Sequence, residues 1–345
     1  MEFLDAIKKG KRTFVVAEIG QNHQGDIGNA KKLIDVAMEC GADCAKFQKT
    51  CIAEKFTRSV LEAPYVSPNS WGATYGDHKA HLEFSDDEFR ELQRYCQEVG
   101  VMFAATPMDC ASLDFLVGIS VPFIKIGSGD ANNFVLLEKA ARTELPLVIS
   151  TGMQDFGTVK SIYKLVSKHH KKFALLHCVS SYPAPLHQLN LEVINLYKRE
   201  FPDVVVGYSG HELGTKMTLA AAAMGAKIVE RHITLDKSWK GTDHKCSLSP
   251  REFKSLVDDI RALELAMGEP VKKRLYCEQP TYKKLGKSLV FAQTLKAGHE
   301  IATEDVTVKV CTPKGVDPTE INNVIGKRLN CDVYADNPIL DHHIK

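Results

Sequence analysis

Eight short apolar runs, each followed by a stretch with helical periodicity, fill the chain as far as about residue 268. They are TFVVAEI (13–19), DCAKFQ (43–48), VMFAAT (101–106), PFIKIG (122–127), PLVIS (146–150), FALLHC (173–178), VVVGYS (204–209) and KIVERHI (227–233). Near-continuous apolar runs of this length suit strands covered on both faces, as in parallel sheets. The stretches between them carry helix boundaries. Ala30, Leu33, Ile34, Ala37 and Met38 share one helical face, and Gly41 follows as a left-handed terminator. Ser85 and Glu88 predict a capping box ahead of Phe89, Leu92, Cys96 and Val99, ended by Gly100. Ser249, Pro250 and Glu252 open a helix whose stripe is Phe253, Leu256, Val257, Ile260, Leu263 and Met267, ended by Gly268. Repeated βα units in series predict an α/β fold, a (β/α)8 TIM barrel. An open doubly wound sheet is the alternative. No GxGxxG follows the first strand, which removes the usual reason to prefer a dinucleotide fold.

Two regions interrupt the repeat. About fifty residues separate the second and third strands, including PYVSPNSWGATYGDHKAH, and a long loop of this kind is often functional. After Gly268 the chain reads PVKKRLYCEQPTYKK, polar and broken by prolines, and then becomes short β-like pieces: KSLVFAQTL, KAGHEI, VTVKV and PKGVD. The expected organisation is a catalytic barrel over 1–270, a linker over 271–283 and a small β-rich module over 284–345. A module of that size holds little core alone, so docking onto a barrel or a second protomer would stabilise it.

Composition narrows the function classes. The net charge of +1 provides no global field for nucleic acid or anionic lipid, so neither is expected as a partner. No run of apolar residues is long enough for a membrane span. The opening MEFLDAIKKGKRTF lacks the pattern of a signal peptide. Ten cysteines without a CxxC pair are expected as free thiols in a reducing compartment, most simply the cytoplasm.

Catalytic groups of a barrel gather at the C-terminal ends of its strands. Each strand end here supplies a polar group: Glu18; Lys46 and Gln48; Thr106; Lys125, with Ser128 and Asp130 beyond; Ser150; Ser180 and Tyr182; Ser209 and His211; Glu230 and His232. Lys46 and Lys125 with Ser128, Ser150 and backbone amides suit a phosphate or oxyanion cradle. Lys125 as a Schiff-base nucleophile is an alternative. His211 and His232 end neighbouring strands and can meet at one ion, leaving positions open for water and substrate oxygen, although such a pair is more often structural or hydrogen-bonded than ligating. Imidazole alone does not exclude zinc or iron. Glu18 is either a proton carrier or the ion-pair partner of a barrel lysine.

AEIGQNHQGD, AKFQKT, KIGSGD, ISTGMQ, GYSGHE and ERHITLD follow one another in register with the strands. On these motifs the chain resembles the N-acetylneuraminate synthase (sialic acid synthase) family, most closely its animal-type, phosphate-forming branch. KLGKSLVFAQTLKAGHEIATEDVTVKV resembles that family's SAF (antifreeze-like) domain. The resemblance implies condensation of phosphoenolpyruvate with N-acetylmannosamine 6-phosphate. Unphosphorylated N-acetylmannosamine or mannose 6-phosphate is the alternative acceptor. It implies a divalent metal, Mn2+ or Mg2+, on His211 and His232, and a homodimer in which each small domain caps the partner's barrel. Lys46, Thr106, Lys125, Ser128, Ser150 and Ser209 would hold phosphoenolpyruvate. Glu18, Gln48, Asp130, Ser180, Tyr182 and Asp243 would face the sugar and the transferring protons. Bacterial relatives commonly carry Glu at the position of Asp130 and Asn at that of Ser180. Lys287 stands where they place an Arg on the sugar's N-acetyl group. His78, Lys79, His81 and Arg58 of the long insertion offer further donors for a sugar phosphate. A non-catalytic ice-binding role is the alternative from another class, and the complete rim of ionisable groups argues against it.

Overall fold

The computed structural model describes residues 3–345. The chain divides after Gly268 into a first unit ending there and a second, Glu269–Lys345.

The first unit contains the eight strands β1 (Phe14–Gly20), β2 (Cys44–Lys49), β3 (Met102–Pro107), β4 (Ile124–Ile126), β5 (Leu147–Ser150), β6 (Phe173–Cys178), β7 (Val205–Gly210) and β8 (Ile228–His232). Their hydrogen-bonded order is β3-β2-β1-β8-β7-β6-β5-β4, with every ladder parallel. The two end strands, β3 and β4, lie side by side without a backbone ladder, so the ring is a barrel with one seam. Strand β4 is three residues long, shorter than the expected 122–127. Pro122 lacks a donor for the ladder, and Gly127 already leads into the turn Ser128–Asp130.

The helices between strands follow their sequence signals. Helix Ile27–Glu39 buries Ala30, Leu33, Ile34 and Ala37, and Gly41 takes φ +82° just beyond it. Met38 is exposed rather than on the buried face. Helix Asp86–Val99 has the Ser85–Glu88 capping box, buries Phe89, Leu92 and Cys96, and ends at left-handed Gly100. Helix Pro250–Met267 has the Ser249–Glu252 box and buries Phe253, Leu256, Val257 and Ile260. Its stripe fades towards the end, where Met267 is exposed.

Period-two alternation divides the strand residues between two cores. Val15, Ala17 and Ile19 of β1 belong to the large core between strands and helices. Val16 belongs instead to the barrel interior, with Cys44, Ala104, Phe123, Val148, Leu176, Val205 and Ile228. That inner layer is completed by Leu4 and Ile7 of the helix Phe3–Lys9. Phe3 stacks on Phe123 and meets Phe14 edge-on, with ring centroids 5.1 Å apart in both cases. An apolar plug therefore closes the N-terminal end of the barrel, leaving the C-terminal end for the site.

The second unit begins with a 3-10 turn, Tyr276–Glu278, and a helix, Gln279–Leu285, which occupy much of the segment read as a linker. Strands β9 (Ser288–Phe291) and β10 (Val306–Lys309) then pair antiparallel. Leu289, Phe291, Leu295, Ile301, Val324, Leu329, Val333 and Ile339 form its own small core. All ten cysteines are free thiols. Among the described residues no helix is long and apolar enough to cross a membrane.

Candidate active site

Two residues beyond the apolar inner layer, the same alternation points the next side chains into the barrel. Register then determines which of them meet. Glu18 on β1 is level with Lys46 on β2 and with His232 on β8. Gln48 is level with Thr106, and Ser209 with Glu230. With Lys125, Ser128, Asp130, Ser150, Ser180, Tyr182 and His211 these residues line one cavity of about 280 Å3 at the C-terminal mouth. Glu18, Lys46, Thr106, Lys125 and Ser150 are each 2% exposed, so the cavity floor is charged and withdrawn from the surface. Gly20, at φ +55°, allows this crowding, since a Cβ there would stand 3.3 Å from Glu18, Gln48 and His232 side chains alike. Gly152 is more constrained still: a Cβ would lie 2.3 Å from Ser180 Oγ and 2.7 Å from Ser128 Oγ.

The charged groups form one network. Lys46 is ion-paired directly with Glu18, lies 3.7 Å from Glu230 Oε1, and donates to Thr106 Oγ1 at 3.0 Å. Lys125 lies 3.4 Å from the same Glu230 oxygen and donates to Ser150 Oγ at 2.8 Å. Ser209 donates to Glu230 Oε1 at 3.2 Å, and Gln48 Nε2 donates to Glu18 Oε1 at 2.8 Å. The backbone N–H of Gly152 donates to Ser128 Oγ at 3.0 Å, fixing that hydroxyl at the rim. Two ammoniums face two carboxylates, and their environments divide the carboxylates. Burial would raise Glu230, but the Lys125 and Lys46 ammoniums outweigh it and hold the carboxyl down at about 2. Burial raises Glu18, and Lys46 with Gln48 offsets only part of that while Glu230 adds to it. Burial pushes Lys125 down despite Glu230. Lys46 is raised, because Glu18 and Glu230 outweigh its burial. Glu18 is thus the carboxyl disposed to carry a proton, and Glu230 the fixed anion.

His211 and His232 stand with ring centroids 5.5 Å apart, under the ring of Tyr182 at 4.1 Å from His211. His211 Nδ1 is 3.0 Å from the Val179 carbonyl oxygen, a contact that leaves Nε2 for another partner. Burial pushes His232 down to about 4, so at neutral pH its ring keeps a lone pair for coordination. Its Nδ1 is buried without a hydrogen-bond partner, and Asp243 Oδ2 is 3.9 Å away. An orphaned buried nitrogen beside a second imidazole fits a divalent cation. Among the described residues no group of three or more His, Cys, Asp or Glu side chains is arranged to hold a metal, so the protein would supply two nitrogens and leave the other positions open.

Of the residues singled out in the sequence, Asp243 and Lys287 do not line this cavity. Asp243 lines an adjoining one of about 160 Å3, with Gln21, Asn22 and the insertion residues Tyr65, Trp71, Tyr75, His78 and Lys79. Lys287 lies in the second unit, exposed at the start of β9. His81 stacks on Trp71, and Arg58 pairs with Glu62 in solvent. Sequence reading placed Glu230 on the rim without giving it a role. It is the counter-ion shared by both barrel lysines, a role that depends on how the strands close around the axis. Lys55, Met108 and Met153 also line the cavity and carried no sequence signal beyond lying in or after turns.

Comparison with known proteins agrees with this geometry. The sequence profile of the NeuB family matches residues 33–272, and that of the SAF domain matches residues 286–345. The chain is similar to the N-acetylneuraminate-9-phosphate synthase of Homo sapiens, with 51% identity over 95% of this chain and 91% of that protein. The protein of the same name from Drosophila melanogaster is 46% identical over 96% of this chain and 95% of its own length. Among solved structures, the N-acetylneuraminic acid (sialic acid) synthetase of Leptospira borgpetersenii superposes with a TM-score of 0.71 at 31% identity, over 80% of this chain and 92% of that one. With the profile spanning most of the barrel and such relatives spanning nearly the whole sequence, the chain belongs to the NeuB family and carries a SAF domain.

Proposed function

We propose that this chain condenses phosphoenolpyruvate with N-acetylmannosamine 6-phosphate to give N-acetylneuraminate 9-phosphate and phosphate, in sialic acid biosynthesis. The observation that carries this reading is the buried Lys46–Glu18–Glu230–Lys125 network beside a histidine pair in one cavity. Support comes also from the similarity to the synthases of that name.

Lys46 and Lys125, with Thr106, Ser128, Ser150 and Ser209, hold the phosphate and carboxylate of phosphoenolpyruvate. Charge balance explains the two different carboxyls. Binding a polyanion beside two ionised glutamates would be costly, and a proton on Glu18 leaves two ammoniums against Glu230 alone. His211 and His232 are the residues that would hold a divalent cation, Mn2+ or Mg2+, whose contribution when bound is Lewis-acid polarisation of the acceptor's carbonyl oxygen. The vinyl carbon of phosphoenolpyruvate attacks the open-chain aldehyde, forming the new C–C bond, and Glu18 gives its proton to the aldehyde oxygen. Water adds at the cationic C2 and its proton passes back to Glu18. The C2–O bond to the phosphoryl group then breaks as the new C2 hydroxyl becomes the ketone oxygen, and its proton leaves with the phosphate, which keeps the bridging oxygen. Lys46 and Lys125 are preorganised against the charge on that leaving group, the type of contribution that often dominates catalysis. Gln48 orients Glu18, while Asp130, Ser180, Tyr182 and Asp243 face the acceptor.

Phosphoenolpyruvate labelled with 18O at the bridging position tests the route. Label is expected in inorganic phosphate, and its retention in the sugar acid would overturn C–O cleavage. Phosphate release with and without chelator tests the need for a cation. The depressed Lys125 leaves a Schiff base as a second reading, for which borohydride trapping with substrate would yield a Lys125 adduct. We further place the protein in the cytoplasm, a reading supported by its ten free thiols. It works as a homodimer in which each SAF domain covers the partner's barrel mouth and Lys287 reaches the acceptor, a reading supported by the family resemblance and the exposure of Lys287. Sedimentation of the full chain tests the dimer.

A further inference from the structure

The insertion between β2 and β3 carries two lysines that the mechanism above leaves unused. Lys55 ends the helix Ile52–Lys55 and lines the catalytic cavity. Lys79, on the helix Tyr75–Leu82, lines the adjoining cavity with Trp71, Tyr75 and Asp243. The cavities are neighbours, because Asp243 of the second stands 3.9 Å from His232 Nδ1 of the first.

These lysines differ from Lys46 and Lys125, each of which has a carboxylate oxygen within 4 Å. Neither Lys55 nor Lys79 forms an ion pair among the described residues. Lys79 Nζ donates to Gln21 Oε1 at 3.2 Å and lies 5.5 Å from the centre of the Tyr75 ring. Among the described residues, Lys55 Nζ meets the thioether of Met108 and the ring of Phe56, 5.3 Å from its centre. Burial pushes both ammoniums down, and Lys55 repels Lys79, so the two sense each other across the border of the cavities. Asp243 and Glu83 temper Lys79, and Asp130, Asp109 and Glu83 temper Lys55, from beyond ion-pair range. Neighbouring His78 adds no charge at neutral pH, being held at about 4 by burial with Lys79 and Lys240. Two sheltered cations whose direct contacts are neutral keep donor capacity for an anion.

We propose that Lys79, assisted by Lys55, holds the terminal phosphate of the acceptor sugar, so that this insertion selects a phosphorylated acceptor over a neutral one. The assignment rests on the acceptor being a sugar phosphate whose carbonyl lies near His211 and His232. From there the acceptor's far end extends into the adjoining cavity.

The test is the ratio of kcat/KM for N-acetylmannosamine 6-phosphate to that for N-acetylmannosamine, measured by phosphate release from the full-length protein. Wild type is expected to favour the phosphate. Lys79→Met is expected to reduce the ratio about 10- to 100-fold, as loss of a charge-assisted hydrogen bond does, mainly through KM of the phosphorylated sugar. Lys79→Arg should restore part of it, and Lys55→Met should reduce the ratio by a smaller factor. Lys55→Met also serves as the reading where Lys79→Met does not fold. A ratio unchanged in both lysine variants overturns the inference. Wild-type preference for the neutral sugar overturns it too, while leaving the condensation standing. A wild type that releases phosphate with neither sugar would sink the proposed function itself.

Discussion

The barrel interior has two layers built by the same strands, and they obey opposite rules. In the lower layer Val16, Cys44, Ala104, Val148, Leu176 and Ile228 pack against the plug of Phe3, Leu4 and Ile7. In the upper layer, two residues further along, Glu18, Lys46, Lys125, Ser150 and Glu230 meet as a buried charge network. Apolar burial stabilises the fold in proportion to area removed from water. Buried ion pairs rarely outdo apolar groups of the same volume, because desolvation consumes most of the Coulombic gain. The lower layer is therefore explained by folding alone. The upper layer is explained by what it binds.

The largest expected effect breaks the upper layer. Lys125→Met should lower phosphate release by about 10^2- to 10^3-fold, the usual loss when one preorganised donor to a developing charge is removed. It should also destabilise the fold by about 3 kcal/mol or more, since Glu230 is left buried with one cation fewer. The double variant Lys125→Met/Glu230→Leu is expected to regain stability in urea unfolding without regaining activity. A double variant less stable than the single would show that the charge network stabilises the barrel, and the contrast between layers would fail.

The complementary change sharpens the same contrast from below. Leu176 is fully buried in the apolar layer. Leu176→Ala should cost about 2–5 kcal/mol in chemical denaturation. Turnover per folded molecule should stay near wild type. A large fall in kcat at temperatures well below the melting transition would mean that the lower layer sets the geometry of the upper one.

A third effect separates burial from charge. His23 is 2% exposed, stacks on Phe84 at 4.2 Å between centroids, and accepts the Gly25 N–H at 3.0 Å. Burial pushes it down to about 3, so the folded protein keeps it neutral where the unfolded chain, near 6.5, takes up a proton. The sign follows: nothing changes above pH 6.5, and stability is lost as pH falls from there towards 3. At pH 4.5 the loss from this one ring is about 3 kcal/mol, two pH units at about 1.4 kcal/mol each. His23→Asn keeps an acceptor for Gly25 and should flatten the acid limb by that amount between pH 7.5 and 4.5. Glu230, held at about 2, stabilises the fold throughout the range above the ordinary carboxylate value and loses that contribution only as pH falls from there towards 2. An unaltered acid limb in His23→Asn would remove His23 as its source and point to His232 of the upper layer, which burial holds at about 4.

Much of this was legible in the sequence because strands covered on both faces announce themselves as apolar runs. A polar residue ending such a run, as at Glu18, Lys46, Lys125 and His232, stands out against that background. Helix boundaries were legible where a side chain caps the backbone, as at Ser85 and Ser249. What the sequence concealed depends on closure. Glu230 reaches both Lys46 and Lys125 only because β8, β2 and β4 curve around one axis, and no local pattern encodes that distance. The plug helix was hidden for a similar reason. Phe3, Leu4 and Ile7 form too short a stripe to announce a partner, and their role appears only once the barrel end exists to be filled. Lys55 was hidden by its setting, a four-residue helix within an insertion whose path only tertiary packing determines.

The smallest expected effect comes from the same insertion and tests what distinguishes its cations. Arg58 and Lys79 lie on neighbouring helical segments, and both were candidates for a sugar phosphate. The Arg58 side chain is 90% exposed and is already paired with Glu62 at 2.7 Å, one turn further along. Pairs of this kind contribute only about 0.3–0.5 kcal/mol, because water screens the charges and ordering two long side chains costs entropy. Its guanidinium also has no reason to leave solvent for a substrate. Arg58→Ala should therefore shift stability by no more than about 0.5 kcal/mol and leave the preference for the phosphorylated acceptor intact. If Arg58→Ala lowered that preference as much as Lys79→Met, long-range attraction by the whole insertion would replace a sheltered, unpaired ammonium as the basis of selection. Raising the salt concentration would then erode the preference, because exposed charges are screened beyond about 10 Å at 0.1 M. A contact made by Lys79 inside its cavity should persist.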